Sequence, residues 1–503
     1  MIELGQRPLS IEDVVNVARK HEKVELSAGA RQRIVAARKV VDDSVASGKV
    51  AYAINTGFGA LKNKIISAAD QQQLQKNFMA SHAVGVGPAF SDDVSRALVL
   101  IHANGFSKGH SGIRLQTVQT MLELLNRGVT PVIPEKGSVG ASGDLAPLAH
   151  MGQVLTGNGE AVFQGKKMPA QEALQAAGIA RLVLEAKEGL ALGNGTSAMT
   201  AVGALAVHDA QTVAETADVT AAMSLEALMG TDAALDERIH AAKAHPGQQA
   251  AAAHLRQLTQ QSQIIASHKD CDRIQDAYSL RCIPQVHGAS RDAIAYARQV
   301  VETEMNSATD NPLIFQDGSV FSGGNFHGQP VALVMDFLGI AVAELANISE
   351  RRTFRLVDPK LNEGLPAFLI QDSGLNTGYM IIQYTAAALV SENKVLAHPA
   401  SVDSIPTCAN QEDHVSMGTI AARKCAQIID NVQHVITIEA LCAAQALDFR
   451  LPLESGNGTR KAHQCVRKKV PHVEQDRPIQ PDILTVLDLV KTGQLLQSTQ
   501  TNG

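Results

Sequence analysis

Along most of the chain the apolar positions recur at helical rather than strand spacing. Leu115, Val118, Met121, Leu122 and Leu125 fall on one helical face, and Gly128 follows where a left-handed residue would cap the helix. Val334, Leu338, Ala341, Leu345 and Ile348 alternate steps of four and three, the spacing of a seam along a neighbouring helix. Two stretches, 198–229 and 416–449, contain no proline. At about thirty residues each they exceed the usual globular helix, which predicts a bundle of long helices.

Strand patterns are short. In LIFQDGSVF, 313–321, Asp317-Gly318 separates two apolar runs and predicts a hairpin, and GEAVFQGKKM, 159–168, is a weaker candidate. The fold predicted is therefore mainly α, a central bundle of long helices with minor short β-hairpins. The expected division is an N-terminal helical part over 1–197, which holds the loop at 137–150, and a long-helix bundle with C-terminal helices over 198–503.

Composition narrows the class. The 503 residues are 45% hydrophobic and 19% charged, values of a globular chain, and the formal net charge of −6 gives no electrostatic reason to expect nucleic acid or an anionic membrane as partner. Six cysteines are scattered without CxxC pairs, which fits a reducing compartment. The start, MIELGQRPLSIEDVVNV, lacks a basic segment followed by an apolar one, so no secretory signal is expected. The most apolar window, Val331 to Ala346, carries Asp336 and Glu344 and reads as too short for a bilayer. A cytoplasmic location is expected.

Glycine-rich loops (NTGFG, HAVGVG, GNGT, SGGNFHG) punctuate the helices. Any one of them is explained by a tight turn, but several carry polar or aromatic side chains, and loops often display functional groups. GVGPAF at 85–90 lacks the third glycine and the preceding strand of a dinucleotide fingerprint, and the chain has neither a Walker loop nor HExxH. Adjacent side chains diverge, so Glu412, Asp413 and His414 do not form an expected metal site.

Ala-Ser-Gly occurs twice. At 46–48 it ends a helix-period segment, and Gly48 is expected as its left-handed cap. At Ala141, Ser142 and Gly143 it lies within GSVGASGDLAPLAH, after Pro131, Pro134, Gly137 and Gly140 and before an apolar run. Asp144 or Ser142 could cap the helix that follows. The order of residues also permits a reaction. In a sharply bent chain the Gly143 nitrogen can attack the Ala141 carbonyl carbon. Loss of the former Ala141 carbonyl oxygen from that ring as water, and of the Ser142 hydroxyl as a second one, leaves an exocyclic methylene on an imidazolone ring. Glycine gives an unhindered nitrogen, serine a leaving hydroxyl, and alanine little bulk.

GSVGASGDLAPLAH resembles the signature of the aromatic amino acid ammonia-lyases, whose prosthetic group is 4-methylidene-imidazol-5-one (MIO). The likeness continues through YAINTGFG, SHAVGVGP, LALGNGTSAM, QDAYSLRCIPQVHG, TDNPLIF, GGNFHGQPVA and SIPTCANQEDHVSMG. It implies a covalent MIO made from Ala141, Ser142 and Gly143, with no metal and no nucleotide. It further implies a homotetramer in which each active site draws on three subunits.

The resemblance also distributes roles. Expelling ammonia from an α-amino acid requires removing a weakly acidic β-proton and activating a poor leaving group, so an electrophile and a base are both needed. Tyr52 is implied as the base. That role needs a lowered pKa, expected from nearby cations or helix N-termini. Gly57 and Gly59 would allow a lid, although Ala53 stands where the family commonly has glycine. Arg281 is implied as the clamp on the substrate carboxylate. Tyr278, three residues earlier, and Gln275 would share its helical face and reach the substrate and prosthetic group. Asn194 would stabilise negative charge on the ring. Phe326 would position the tripeptide, and Asp144 would assist its closure.

Two residues bear on the substrate. Ser81-His82 resembles the pattern of members that act on histidine, although members that act on tyrosine also carry a histidine there. Glu412 stands where members that act on phenylalanine have glutamine, and a carboxylate suits an imidazole. Elimination of ammonia from L-histidine to give urocanate is thus the expected reaction. The alternatives are a tyrosine ammonia-lyase, an aminomutase with the same group, or an inactive helical scaffold. The GSxxMPxKxNP signature of the fumarase and argininosuccinate lyase group is absent.

Overall fold

The two long proline-free stretches do become long helices, Ser197–Ala227 and Gly418–Asp448 of 31 residues each, and Gln329–Val357 of 29 and Ile283–Met305 of 23 stand beside them in length. The computed structural model describes residues 1–48, 52 and 54–500. Among them lie twenty α-helices and nine short strands, so the chain is mainly α and built on a bundle of long helices. The seam residues Val334, Leu338, Leu345 and Ile348 are buried. The helix that carries them outruns the window read from the sequence. By length and composition it could cross a membrane, yet 67% of its most apolar segment is buried inside the protein, as in a core helix.

The chain separates into two compact units. The first comprises Met1–His208, Ala297–Asp336 and Pro399–Arg423; the second comprises Asp209–Tyr296, Phe337–His398 and Lys424–Gly503. This differs from the division expected at residue 197. Long helices carry the chain from one unit to the other, so contacts group segments that are distant in sequence.

The first unit holds the strands. Val129–Pro131, Glu160–Phe163 and Lys166–Pro169 form an antiparallel sheet, and Val86–Ala89 pairs with Pro134–Lys136. The hairpin at 313–321 pairs Leu313 with Phe321 and Ile314 with Val320, with Gly318 at φ +84° in its loop. The helix Leu115–Arg127 ends on left-handed Gly128, and Ala28–Ser47 ends on left-handed Gly48, so the Ala-Ser-Gly copy at 46–48 is a helix end.

The second unit is helical and has a polar centre. Fully buried Glu439 accepts hydrogen bonds from Ser224 Oγ (2.7 Å), Thr220 Oγ1 (3.0 Å), Ser349 Oγ (2.6 Å) and Arg352 Nη2 (2.9 Å), tying three long helices at one point. Ile283 is buried, and buried His287 places Nδ1 2.6 Å from Asp218 Oδ1. Nearby, burial pushes the pKa of Glu226 up to about 7, against the hydrogen bonds of Ser262, Thr459 and the Gly456 amide. A raised carboxyl pKa gives stability that is complete below the unfolded value and is lost as pH rises through the folded one. Between pH 4.5 and 7 this amounts to roughly 3 kcal/mol. Glu226→Gln is accordingly expected to lessen the fall in thermal midpoint between pH 5 and pH 8. An unchanged fall would show that this carboxyl is not its source.

Candidate active site

The Ala-Ser-Gly copy at 141–143 forms a sharp reversal. Gly140, Ser142 and Gly143 have φ of +85°, +50° and +82°, and the Gly143 amide donates to the Gly140 carbonyl at 3.4 Å. A left-handed serine costs about 1–2 kcal/mol, so the surroundings must impose it. They do so from Gly195, whose amide donates to the Ser142 carbonyl at 3.0 Å and whose carbonyl accepts from the Asp144 amide at 2.8 Å. Contact is so close that a Cβ on residue 143 would sit 2.1 Å from the Gly195 oxygen. Only glycine fits there.

Asp144 makes no capping bond to its own helix, Leu145–Leu155. Its fully buried carboxylate instead accepts from Ser138 Oγ at 3.0 Å and from Thr419 Oγ1 through Oδ1, and from the Met199 amide at 2.8 Å through Oδ2. It thereby caps the long helix Ser197–Ala227. Burial raises its pKa despite these bonds. Ser138 and Thr419 were not legible as site residues, since a hydroxyl in a loop carries no pattern of its own.

Ser142 opens onto a cavity of about 600 Å³, lined among others by Tyr52, Asn311, Phe326, Gln411 and Glu412. Glu412 Oε1 accepts from Ser142 Oγ at 3.3 Å and Oε2 from Thr407 Oγ1 at 2.9 Å. The segment that presents Glu412 is strained, with Cys408, Ala409 and Asn410 all left-handed. It is tied to the Tyr52 loop by Lys62 Nζ to Gln411 Oε1 (2.5 Å) and the Ala60 amide to Cys408 Sγ (3.3 Å). Ala53 lies outside the described residues.

Tyr52 faces this cavity with its hydroxyl accepting from the Gly59 amide at 3.1 Å. The lowered pKa expected for it is not what the chain provides. Burial raises it, the charges of Glu412 and Cys408 add to the rise, and the Gly59 amide alone works the other way.

His82 ends the helix Gln71–His82 and stacks on Phe78 with ring centroids 3.8 Å apart. Its Nδ1 lies 2.9 Å from the Phe78 carbonyl, which can only accept, so Nδ1 carries the proton and Nε2 is an acceptor. Burial lowers its pKa, which keeps the ring neutral near pH 7.

Asn194 is buried, and its amide group does not behave as expected. Both Nδ2 hydrogens are engaged, by Asp310 Oδ1 at 3.2 Å and the Asn311 carbonyl at 3.3 Å, leaving none for negative charge at the tripeptide. The donor aimed there is the next residue's backbone, Gly195 N–H.

Tyr278, Arg281 and Gln275 belong to the second unit. Arg281 places its guanidinium 4.5 Å from the centre of the Tyr278 ring, and its Nε is buried without a partner. No carboxylate pairs with it among the described residues. Tyr278 is 71% exposed. Gln275 lies before the short helix Tyr278–Arg281, so it does not share that helix's face as expected.

Comparison with known proteins adds relatives along the whole chain. A model of the family described as aromatic amino acid lyase matches residues 9–468. The chain is 52% identical over 501 residues to a protein of Natranaerobius thermophilus named histidine ammonia-lyase, covering 99% of each. It is 54% identical over 507 residues to one of the same name from Koribacter versatilis, covering 98% of each. Among solved structures, histidine ammonia-lyase from Trypanosoma cruzi superimposes with a TM-score of 0.92 at 44% identity, over 99% of this chain and 94% of that one. Tyrosine aminomutase from Streptomyces globisporus gives 0.93 at 36%, over 99% and 98%.

Proposed function

Since the chain belongs to the aromatic amino acid lyase family, we propose that it is a carbon-nitrogen lyase that eliminates ammonia from L-histidine to give urocanate, the opening step of histidine breakdown. The observation that carries this reading is the left-handed turn at Ser142, open to a cavity whose wall holds Tyr52 and Glu412. The full-length relatives named histidine ammonia-lyase support the choice of substrate.

The tripeptide suits conversion to MIO: the chain reverses within four residues, residue 143 has no room for a side chain, and the Ser142 hydroxyl borders a carboxylate acceptor. MIO would supply the electrophile that activates the amine for departure. Around it, Gly195 N–H would stabilise negative charge developing on the Ser142 carbonyl oxygen. Buried Asp144 would accept a proton or hydrogen bond during ring closure, with Phe326 on the wall beside the turn.

Tyr52 would take the β-proton. His82 Nε2 and Glu412 would hold the substrate imidazole, one accepting its N–H and the other favouring its partial positive charge. Arg281, paired with no acid among the described residues, would bind the substrate carboxylate, and Tyr278 and Gln275 would act beside it. These three would enter from another copy of the chain in a homotetramer. Their cationic member would then favour the phenolate that Tyr52 does not reach within one chain. No nucleotide, metal or nucleic acid enters this scheme, and a cytoplasmic location accords with it.

Assaying histidine, tyrosine and phenylalanine in parallel tests the reading. Turnover of histidine is expected, and turnover of tyrosine alone would replace it with a tyrosine ammonia-lyase or an aminomutase like the structural neighbour. Glu412→Gln is expected to raise KM for histidine about 10- to 100-fold, the value of a hydrogen bond to a charged group. Equal KM for both proteins would remove Glu412 from substrate binding.

A further inference from the structure

Beneath the turn lies an ion pair with no role in the scheme above. Lys187 is fully buried and left-handed, at φ +73°, where it begins the short helix Glu188–Gly193. Its Nζ lies 2.7 Å from Oδ2 of Asp310, itself 4% exposed. Removing two charges from water is costly, and an apolar pair would serve packing as well, so the position of the carboxylate invites another explanation.

The other oxygen, Oδ1, supplies one. It accepts from Asn194 Nδ2 at 3.2 Å and from the Asn311 amide at 2.6 Å. Asn194 gives its second hydrogen to the Asn311 carbonyl. One carboxylate therefore holds both the Asn194 side chain and the Asn311 backbone. Asn194 precedes Gly195, whose N–H meets the Ser142 carbonyl oxygen, and Asn311 lines the cavity and accepts through Oδ1 from the Gly323 amide at 2.8 Å.

We propose that Asp310, neutralised by Lys187, is a positioning residue that grips the Asn194 side chain and so aims the Gly195 N–H at the Ser142 carbonyl oxygen. This rests on the lyase reading above. Asn194 then acts through its place in the clamp rather than as a donor to the reacting group. A donor shifted by about 1 Å loses on the order of 10²-fold in rate, so the grip matters to turnover more than to substrate binding.

A double-mutant cycle separates these roles. Asp310→Asn leaves one side-chain oxygen where two are needed, for Lys187 on one side and for the Asn194 and Asn311 donors on the other, and Asn194→Ala removes the side chain that is gripped. Each single variant is expected to lose about 100-fold in kcat with little change in KM. Because Asp310 acts through Asn194, the double variant N194A/D310N is expected to be within about 10-fold of N194A, far from the roughly 10⁴-fold loss that independent effects would give.

Intact mass, read for every variant, shows whether the two waters of ring closure have left, and so separates a failure of maturation from a failure of turnover. A folded, ring-bearing double variant slower than N194A by the full factor lost in D310N would overturn the proposal, because the two residues would then act independently. So would D310N at the wild-type rate. If N194A does not accumulate, the kcat of D310N decides alone. If the wild type loses both waters but turns over none of the three amino acids, the lyase reading fails. The clamp is then tested by the ring-bearing fraction, expected to be low in both singles and no lower in the double.

Discussion

Ser142→Ala is expected to leave the fold intact and to lower turnover by more than about 10³-fold, a loss above roughly 4 kcal/mol of transition-state stabilisation. The fold should survive because the Ser142 backbone, not its hydroxyl, makes the bond to Gly195, and among the described residues Ser142 Oγ makes one long contact, to Glu412 at 3.3 Å. The chemistry should not survive. Without a hydroxyl to leave, no methylene forms, and no side chain of the twenty supplies an equivalent electrophile. Circular dichroism and thermal midpoint next to the wild type check the first half, and a steady-state assay with histidine checks the second. Activity within 10-fold of the wild type would take Ser142 out of the reaction.

Tyr52→Phe is expected to reduce kcat by about 10²- to 10⁴-fold, the range for removal of a general base. The pH dependence carries more information than the loss. Burial and Glu412 hold the Tyr52 pKa above its ordinary value in the single chain. Activity that needs the phenolate must therefore rise with pH. Any cation brought by assembly moves that rise to lower pH without reversing it. The residual activity of the phenylalanine variant should lack the rise. A pH profile of the same shape in both proteins would assign the proton transfer elsewhere.

The two residue sets of the site were not equally readable from the sequence. Helical spacing located the long helices because packing along a bundle writes its period into the chain, as at Val334, Leu338, Leu345 and Ile348. The turn at 140–143 was legible because close backbone approach excludes side chains and leaves glycines behind. The clamp was not. Lys187 and Asp310 are a lone lysine and a lone aspartate 123 residues apart, and nothing in their local patterns announces that each is buried against the other.

Three expectations did not hold, each decided by surroundings that a local motif does not carry. Asn194 looked like a donor to the ring, but Asp310 and Asn311 take both of its hydrogens. Gln275 looked like a continuation of the Tyr278–Arg281 face, but the helix begins only at Tyr278. The pKa of Tyr52 likewise depends on Glu412, 360 positions away by the numbering.

Everything proposed for this site depends on the tripeptide becoming an electrophile, and the mass of the purified wild-type chain reports that directly. Closure and dehydration of Ala141, Ser142 and Gly143 remove two waters, so the measured mass should fall about 36 Da below that of the unmodified sequence. The loss should map to the peptide that contains residues 141–143. A mass equal to that of the unmodified chain would contradict the account.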